Sequence, residues 1–338
     1  MDKRERFEHY LKGEPVDRVP VAVFHHFTER NEWLKGLVNE EIFEKNINGH
    51  KTAREKFDPD VIKVMNDSLM IMPVDVTFIE TPDDLLKIEP PVYGSPFFEK
   101  TKELTLRAFS FYEGSEAPRY VTGFSPAMIL KTAMNRAIPV LPGTDPALVR
   151  FAKEAPETVA KSLDIIAESV AALDEMLIKE CGAEGIYLSV NNQNGYFPGD
   201  IYREYIAPSE KKVLGHANSL SNMNLLHICG YAGLANDLEL YRDYEAAAFN
   251  WAVHAEGVSL SEGRKLFGGK PVFGGFEQAG VIYKGSRREV EEAVFRILDE
   301  AGQLGVMIGA DCTVPTDIDD TRLEWVRRAC EKYAEGSR

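Results

Sequence analysis

Asn224-Leu225-Leu226-His227-Ile228-Cys229 is an apolar run of strand length that ends on an imidazole and a thiol. Side chains alternate between faces along a strand, so His227 and Cys229 point the same way. Gly230 follows at once and lets the backbone turn away. Runs of the same kind recur on both sides. Arg18–Phe24 (RVPVAVF), Val61–Met65 (VIKVM), Tyr120–Phe124 (YVTGF) and Gly185–Val190 (GIYLSV) precede it, and Ala247–Ala252 (AAFNWA), Pro271–Gly275 (PVFGG) and Gly305–Gly309 (GVMIG) follow. Helical patterns lie between them. Pro156–Cys181 carries Ala, Leu and Ile at three- and four-residue steps, Ser286–Leu304 sets Val290, Val294, Ile297 and Leu298 on one face, and Asp319–Ala334 closes the chain in the same way. Eight strands alternating with helices predict an α/β fold, a parallel sheet closed as a (β/α)8 TIM barrel. A doubly wound open sheet is the alternative, but no G-x-G-x-x-G follows the first strand.

The barrel is expected to occupy residues 1–338 as a single domain. Residues 1–17 form an N-terminal extension, in which Asp2–Lys12 reads as a helix with Phe7, Tyr10 and Leu11 on one face, stopped by Gly13-Glu14-Pro15. Residues 67–118 are too long for a simple crossover and hold Pro73, Pro82, Pro90, Pro91 and Pro96, so they read as an elaborated second βα region that covers the site like a lid.

Composition narrows the function classes. A chain of 338 residues, 44% hydrophobic and 28% charged, suits a globular protein with a large core. No apolar run is long enough to span a bilayer, and the first residues lack a signal core, so a cytoplasmic location without a membrane partner is expected. Four cysteines in such a chain do not make a disulfide framework, and Cys181 and Cys330 read as packing residues. The net charge of −15 argues against a nucleic-acid partner, while leaving room for an anionic small substrate in a local basic pocket. Barrels of this size often associate, so a homo-oligomer is compatible with the sequence.

Barrel chemistry sits where strands end and βα loops begin. There the sequence places His25-His26-Phe27, Asn66-Asp67-Ser68, Asn191-Asn192-Gln193-Asn194, His227 and Cys229, His254, Glu277, and Asp311-Cys312. If the fifth and eighth strand ends are neighbours, one imidazole and two thiolates converge. Three protein ligands with one open position describe a catalytic zinc site. The residues alone leave a second reading open, because cysteine is often a small buried apolar residue, and Asn and Asp also serve as caps and turn formers.

The opening Arg6-Phe7 with Leu11-Lys12-Gly13-Glu14-Pro15-Val16-Asp17-Arg18-Val19-Pro20 resembles that of uroporphyrinogen decarboxylase-like proteins. His227-Ile228-Cys229-Gly230, Gly274-Gly275 and Gly309-Ala310-Asp311-Cys312 resemble the branch of that superfamily made of zinc methyltransferases of corrinoid-dependent systems. The resemblance implies the barrel, zinc on His227, Cys229 and Cys312, a corrinoid (cobalamin) carried by a partner protein, and methyl transfer with a small methylated substrate. It also shows departures. The decarboxylases carry a basic Arg-Gln-Ala-Gly-Arg-like segment after the first strand, where this chain has Phe24-His25-His26-Phe27-Thr28-Glu29-Arg30, so porphyrinogen decarboxylation is not expected. The loop after strand four, often acidic in the superfamily, is amide-rich here, which leaves Glu277, an amide oxygen or water as the fourth zinc ligand.

Within the family two directions of transfer are open: demethylation of a small donor, such as an aryl methyl ether, with transfer to cobalt(I), and methylation of a zinc-bound thiol by methylcobalt. Phe27, Trp33, Phe78, Tyr93, Phe97, Phe98, Tyr196 and Phe197 all fall in expected βα loops and would suit a ring-bearing substrate, which favours the demethylase. In that reading Asp67, Asn191, Asn192, Gln193, Phe27 and Tyr196 bind the substrate, and His25, His26, His254 and Glu277 are the candidates for proton transfer. A metal-independent decarboxylase and a non-catalytic binding barrel are the readings from other classes.

Overall fold

The computed structural model describes residues 1–336. All eight expected runs are parallel strands: β1 (Val21–Ala22), β2 (Ile62–Val64), β3 (Arg119–Phe124), β4 (Gly185–Val190), β5 (Leu225–Ile228), β6 (Ala248–Trp251), β7 (Val272–Phe276) and β8 (Val306–Ala310). They hydrogen-bond in the order β1-β8-β7-β6-β5-β4-β3-β2 and curl into a TIM-barrel-like fold. The longer helices are α1 (Lys3–Lys12), α2 (Glu40–Lys56), α3 (Pro96–Ser110), α4 (Pro126–Ala137), α5 (Ala147–Glu154), α6 (Pro156–Lys179), α7 (Ala207–Leu220), α8 (Leu260–Leu266), α9 (Arg287–Ala301) and α10 (Thr321–Gly336). The open-sheet alternative is thereby set aside.

Strand alternation produces two cores. Residues facing out, such as Ile62, Val64, Leu226, Ile228 and Ile308, pack against the helices. Residues facing in, among them Val61, Tyr120, Tyr187, Leu225, Ala248, Phe273 and Met307, meet Phe7 and Tyr10 of α1. The N-terminal extension therefore plugs the bottom of the barrel with two aromatic rings. Asp2 caps α1 by accepting from the Glu5 amide at 2.8 Å, and Gly13, at φ 68°, ends it in the left-handed conformation that glycine adopts at least cost.

No ladder pairs β1 with β2 among the described residues, and both strands are short. Two carboxylates at the ends of β2 join them instead. Below β2, buried Asp60 accepts the backbone N–H of Val21 at 2.9 Å and a two-pronged pair from Arg18 at 2.6 and 2.7 Å. Arg6 lies 3.4 Å from the same carboxylate and is bound to Asp17 at 2.7 and 2.8 Å. Above β2, Asp67 accepts the backbone N–H groups of Phe27 at 2.5 Å and Thr28 at 3.1 Å. The charged residues of the opening motif thus hold the seam.

The 67–118 segment reaches the barrel mouth only through its first turn, where Asp67, Met70 and Ile71 line a cavity. Its middle covers the flank of α6: Ile79, Leu85 and Ile88 are buried there, and Tyr93 donates to Glu180 at 3.0 Å. Its end is α3, the second barrel helix. The length that suggested a lid is taken up by packing on the outer wall.

Replacing Asp60 by Ala would strip the buried Arg18 guanidinium of its two-pronged partner, leaving it only the 3.8 Å ion pair with Glu331, and would leave the Val21 amide unpaired. The expected loss is about 3–5 kcal/mol of unfolding free energy, read from urea denaturation followed by circular dichroism.

Candidate metal centre

His227 lies on β5 in register with Ser189 of β4 and Asn250 of β6, all facing the barrel interior. Cys229 follows two residues on with the same facing, and Cys312 comes in from the end of β8. The three ligand atoms lie within 4.8 Å of one another, with Cys229 Sγ 3.9 Å from Cys312 Sγ and Cys312 Sγ 3.7 Å from His227 Nε2. A tetrahedral zinc with ordinary bond lengths has S–S edges of about 3.8 Å and S–N edges of about 3.6 Å. The two edges at Cys312 match these lengths and the donor set suits such an ion, while the His227–Cys229 edge, within 4.8 Å, is free to close on binding.

The histidine is oriented by Asn250. The Asn250 amide donates to the carbonyls of Phe273 at 2.8 Å and Ala310 at 3.2 Å, which turns its oxygen toward the Tyr187 hydroxyl at 3.1 Å and His227 Nδ1 at 2.5 Å. Nδ1 then carries the proton, and the Nε2 lone pair faces Cys312. The hydrogen bond from Cys229 draws the Cys312 thiol well below the usual range, whereas the same contact and burial push the Cys229 thiol up. A bound cation would draw both to thiolates.

The cavity above this trio is about 440 Å³, within the range of small-molecule sites. His26 enters it beside Cys312. Its Nδ1 is 2.7 Å from Asp67 Oδ1 and its Nε2 is 3.1 Å from the Thr313 hydroxyl, with the Trp33 ring 4.3 Å away. Phe24, Trp33, Phe124, Tyr187, Tyr231 and Phe273 give the cavity aromatic walls. Of the loop aromatics expected there, only Trp33 takes part; Phe97, Phe98 and Phe197 are in the outer core, and Phe78 and Tyr93 are exposed.

The other expected residues divide. Asn191 and Gln193 line the cavity, Asn191 accepting from Lys131 and Gln193 donating to the Tyr231 carbonyl at 2.8 Å. Asn192 faces away and clamps Phe197 through both backbone groups, at 2.8 and 3.0 Å. Tyr196 sits behind Lys131, whose ammonium is 4.9 Å from its ring. Asp67 reaches the wall, but His26 and two amides occupy its oxygens. His25 points outward to Asp320 at 2.7 Å, and Phe27 packs outward on His50 with ring centres 4.4 Å apart, in space that Gly49 leaves open. His254 is half-exposed and bound to Asp311 at 2.9 Å, which raises its pKa. Glu277 is exposed and lies outside both the cavity wall and the ligand group, because the chain has already entered the Glu277–Gly280 turn.

Sequence reading missed Lys63, Lys131, Asn250, Tyr187 and Thr313. A signal existed for two of them: Lys63 and Asn250 are lone polar residues inside apolar strand runs. Burial lowers the pKa of Lys63 and of Lys131 to about 8.

A family model, uroporphyrinogen decarboxylase (URO-D), matches residues 144–333, more than half of the chain. The chain belongs to the URO-D family. No curated protein matches the sequence. Among solved structures, a methyltransferase from Methanosarcina mazei is 15% identical over 98% of this chain and 99% of its own, with a TM-score of 0.70. A B12-independent methionine synthase from Shewanella sp. W3-18-1 is 13% identical over 95% of this chain and 98% of its own, with a TM-score of 0.54. At these identities the likeness concerns the fold.

If the trio is a metal centre, elemental analysis of the purified protein will find one thiophilic divalent ion per chain. Cys312→Ala will lose it while the far-ultraviolet circular dichroism stays that of a folded barrel, since the site rests on a scaffold closed elsewhere. Full occupancy in that variant would mean a different ligand set.

Proposed function

We propose that this protein is the zinc-dependent methyltransferase of a corrinoid-dependent system, taking methyl from a small donor, an aryl methyl ether, and passing it to the cobalt(I) of a corrinoid protein. The observation that carries the reading is the convergence of His227, Cys229 and Cys312 on one side of an aromatic-walled cavity. Membership of the URO-D family and the shared fold with a Methanosarcina methyltransferase support it.

In the balanced reaction the cobalt(I) electron pair forms the new Co–CH3 bond, the methyl–oxygen bond breaks with its pair going to oxygen, and a proton converts the phenolate to the phenol. When bound, zinc would supply Lewis-acid stabilisation of the departing oxygen. The rest falls to this chain's residues. The aromatic walls stack on the ring of the donor and exclude water. His26 donates the proton from Nε2, its Nδ1 anchored on Asp67, and Thr313 steers that nitrogen toward the site beside Cys312. Asn191 and Gln193 offer hydrogen bonds to ring substituents. The reverse use of the same donor set, presenting a zinc-bound thiolate to methylcobalt, is the second reading.

Mixing the zinc-loaded protein with a reduced corrinoid protein and a panel of methoxybenzenes is expected to replace the cobalt(I) spectrum by that of methylcobalt(III). If no ether reacts but methylcobalt is consumed on adding a thiol, the direction is reversed; if neither occurs, the methyltransferase reading falls. His26→Gln should lower kcat by about 100-fold or more for ethers of poorly acidic phenols and much less for ethers of acidic phenols, which leave without a proton. A loss independent of leaving-group acidity would assign His26 a structural role instead.

A further inference from the structure

Three loops deliver side chains to the barrel mouth in the same way. Each makes a turn in which the amide of the fourth residue donates to the carbonyl of the first: Lys35 to Glu32 at 3.2 Å, Gly195 to Asn192 at 3.0 Å, and Gly233 to Gly230 at 3.0 Å. The second residue of each turn, Trp33, Gln193 or Tyr231, lines the cavity. The third is left-handed: Leu34 at φ 68°, Asn194 at φ 53° and Ala232 at φ 62°. No other non-glycine residue has a positive φ among the described residues. Glycine and asparagine are favoured at such a position, so Asn194 suits its turn. Leucine and alanine do not, because a Cβ is crowded there. The chain thus accepts strain at the two turns that aim Trp33 and Tyr231, and strain of this kind collects at clamps and switch segments.

The two aimed rings meet. Trp33 belongs to the β1 loop and Tyr231 to the β5 loop, and β1 and β5 stand four strands apart either way round the barrel. The ring centres are 6.2 Å apart, and the Arg30 guanidinium lies 5.4 Å over the Tyr231 ring. A contact between loops of opposite strands crosses the mouth. Each side is fastened to its own neighbour. Leu34 and Gly36 donate to the carbonyls of Asp67 and Ser68 at 3.2 and 2.8 Å, while Gln193 donates to the Tyr231 carbonyl and Asn194 to that of Ala235, both at 2.8 Å. Between the sides the rings make the join: among the described residues no hydrogen bond or ion pair links residues 28–36 to residues 230–236.

We infer that these two loops form a strap over the cavity, which opens and closes along the Trp33–Tyr231 seam with Leu34 and Ala232 as its strained hinges. Closed, the strap roofs the aromatic walls and keeps water from the space above the trio. Open, it gives passage to whatever enters or leaves. A seam of ring faces parts readily, since each such contact is individually weak. Opening also frees two residues from the left-handed region, so the closed form persists only while the ring contact is made. The device serves any occupant of the cavity. It also moves the covering role from residues 67–118, which pack on the outer wall, to two short loops at the mouth.

Amide hydrogen exchange of the full chain, read by mass spectrometry, tests this without ligand or turnover, so a failure here is separate from a failure of methyl transfer. Peptides covering residues 28–36 and 230–236 report on the two sides of the seam. In Tyr231→Ala, exchange in residues 28–36 is expected to rise tenfold or more, although the substitution lies on the opposite loop, while β1 and β5 keep their wild-type rates. Tyr231→Phe retains the ring and should leave residues 28–36 as in the wild-type protein. Ala232→Gly removes strain from the closed form with the ring in place, and should slow exchange on both sides severalfold. A rise in Tyr231→Ala confined to residues 230–236, or exchange in Tyr231→Phe as fast as in Tyr231→Ala, would overturn the strap. Unchanged or faster exchange in Ala232→Gly would overturn the role given to strain. Should Tyr231→Ala not fold, Trp33→Ala makes the reciprocal test: a tenfold rise in residues 230–236 upholds the strap, and wild-type exchange there refutes it.

Discussion

The molecule depends on how its sheet is joined where strand pairing runs out. β1 has two residues and β2 three, and they stand at the two ends of the hydrogen-bonded order. Asp60 and Asp67 bridge the gap from the two ends of β2, each accepting backbone amides from the β1 side. A buried carboxylate is costly unless paired, so each is surrounded by donors. The lower one is neutralised by Arg18 with Arg6 close by; the upper one meets His26. Structure and site are coupled here: the carboxylate that pins the β1 loop is also the group that orients the imidazole in the cavity.

A gradient of polarity runs up the barrel interior. At the bottom, Phe7 and Tyr10 of α1 meet Tyr120, Leu225 and Met307 in a dry plug. One layer higher, Asn250 is fully buried, yet its four hydrogen bonds are all made by fixed partners. A satisfied buried network is rigid, because losing any partner exposes an unpaired polar group to a low-dielectric surrounding. The next residues up are the His-Cys-Cys trio. The plug excludes water from below and Asn250 fixes the tautomer of His227, so the donor set is ready before any ion arrives.

Much of this was legible in the residue order, because one rule governs strands and site alike. The eight apolar runs match the strands closely, and the facing of His227 with Cys229 followed from period two. The same alternation continues beyond the strand ends. Ala22, Phe24 and His26 line the cavity while His25 and Phe27 turn outward, and Tyr187, Ser189, Asn191 and Gln193 line it while Asn192 does not. Parallel contacts explain the persistence: His25 bridges Val314, and the Cys229 amide still reaches the Val190 carbonyl at 2.8 Å. Counting forward from each strand would have separated His26 from His25 and Asn191 from Asn192. It would not have placed Glu277, where a turn breaks the period, nor Phe97 and Phe98 of α3, whose burial in the outer core depends on tertiary packing that no local pattern encodes.

The charge distribution had the opposite fate, being invisible in the totals and plain in space. Acidic residues outnumber basic ones along the chain, yet the cavity gathers Arg30, Lys63, Lys131 and Arg136 around a single occupied carboxylate. Low-dielectric walls concentrate such a local excess, and the field at the mouth favours an anion even though the surface as a whole repels one. The two lysines are held differently: Lys131 rests on Asn191 and the Tyr196 ring near the rim, whereas Lys63 has only ring faces. The barrel thus sets one cation that is bonded and, on the inward face of β2, one whose nearest negative groups, Cys312, Asp67 and Cys229, act on it without touching it.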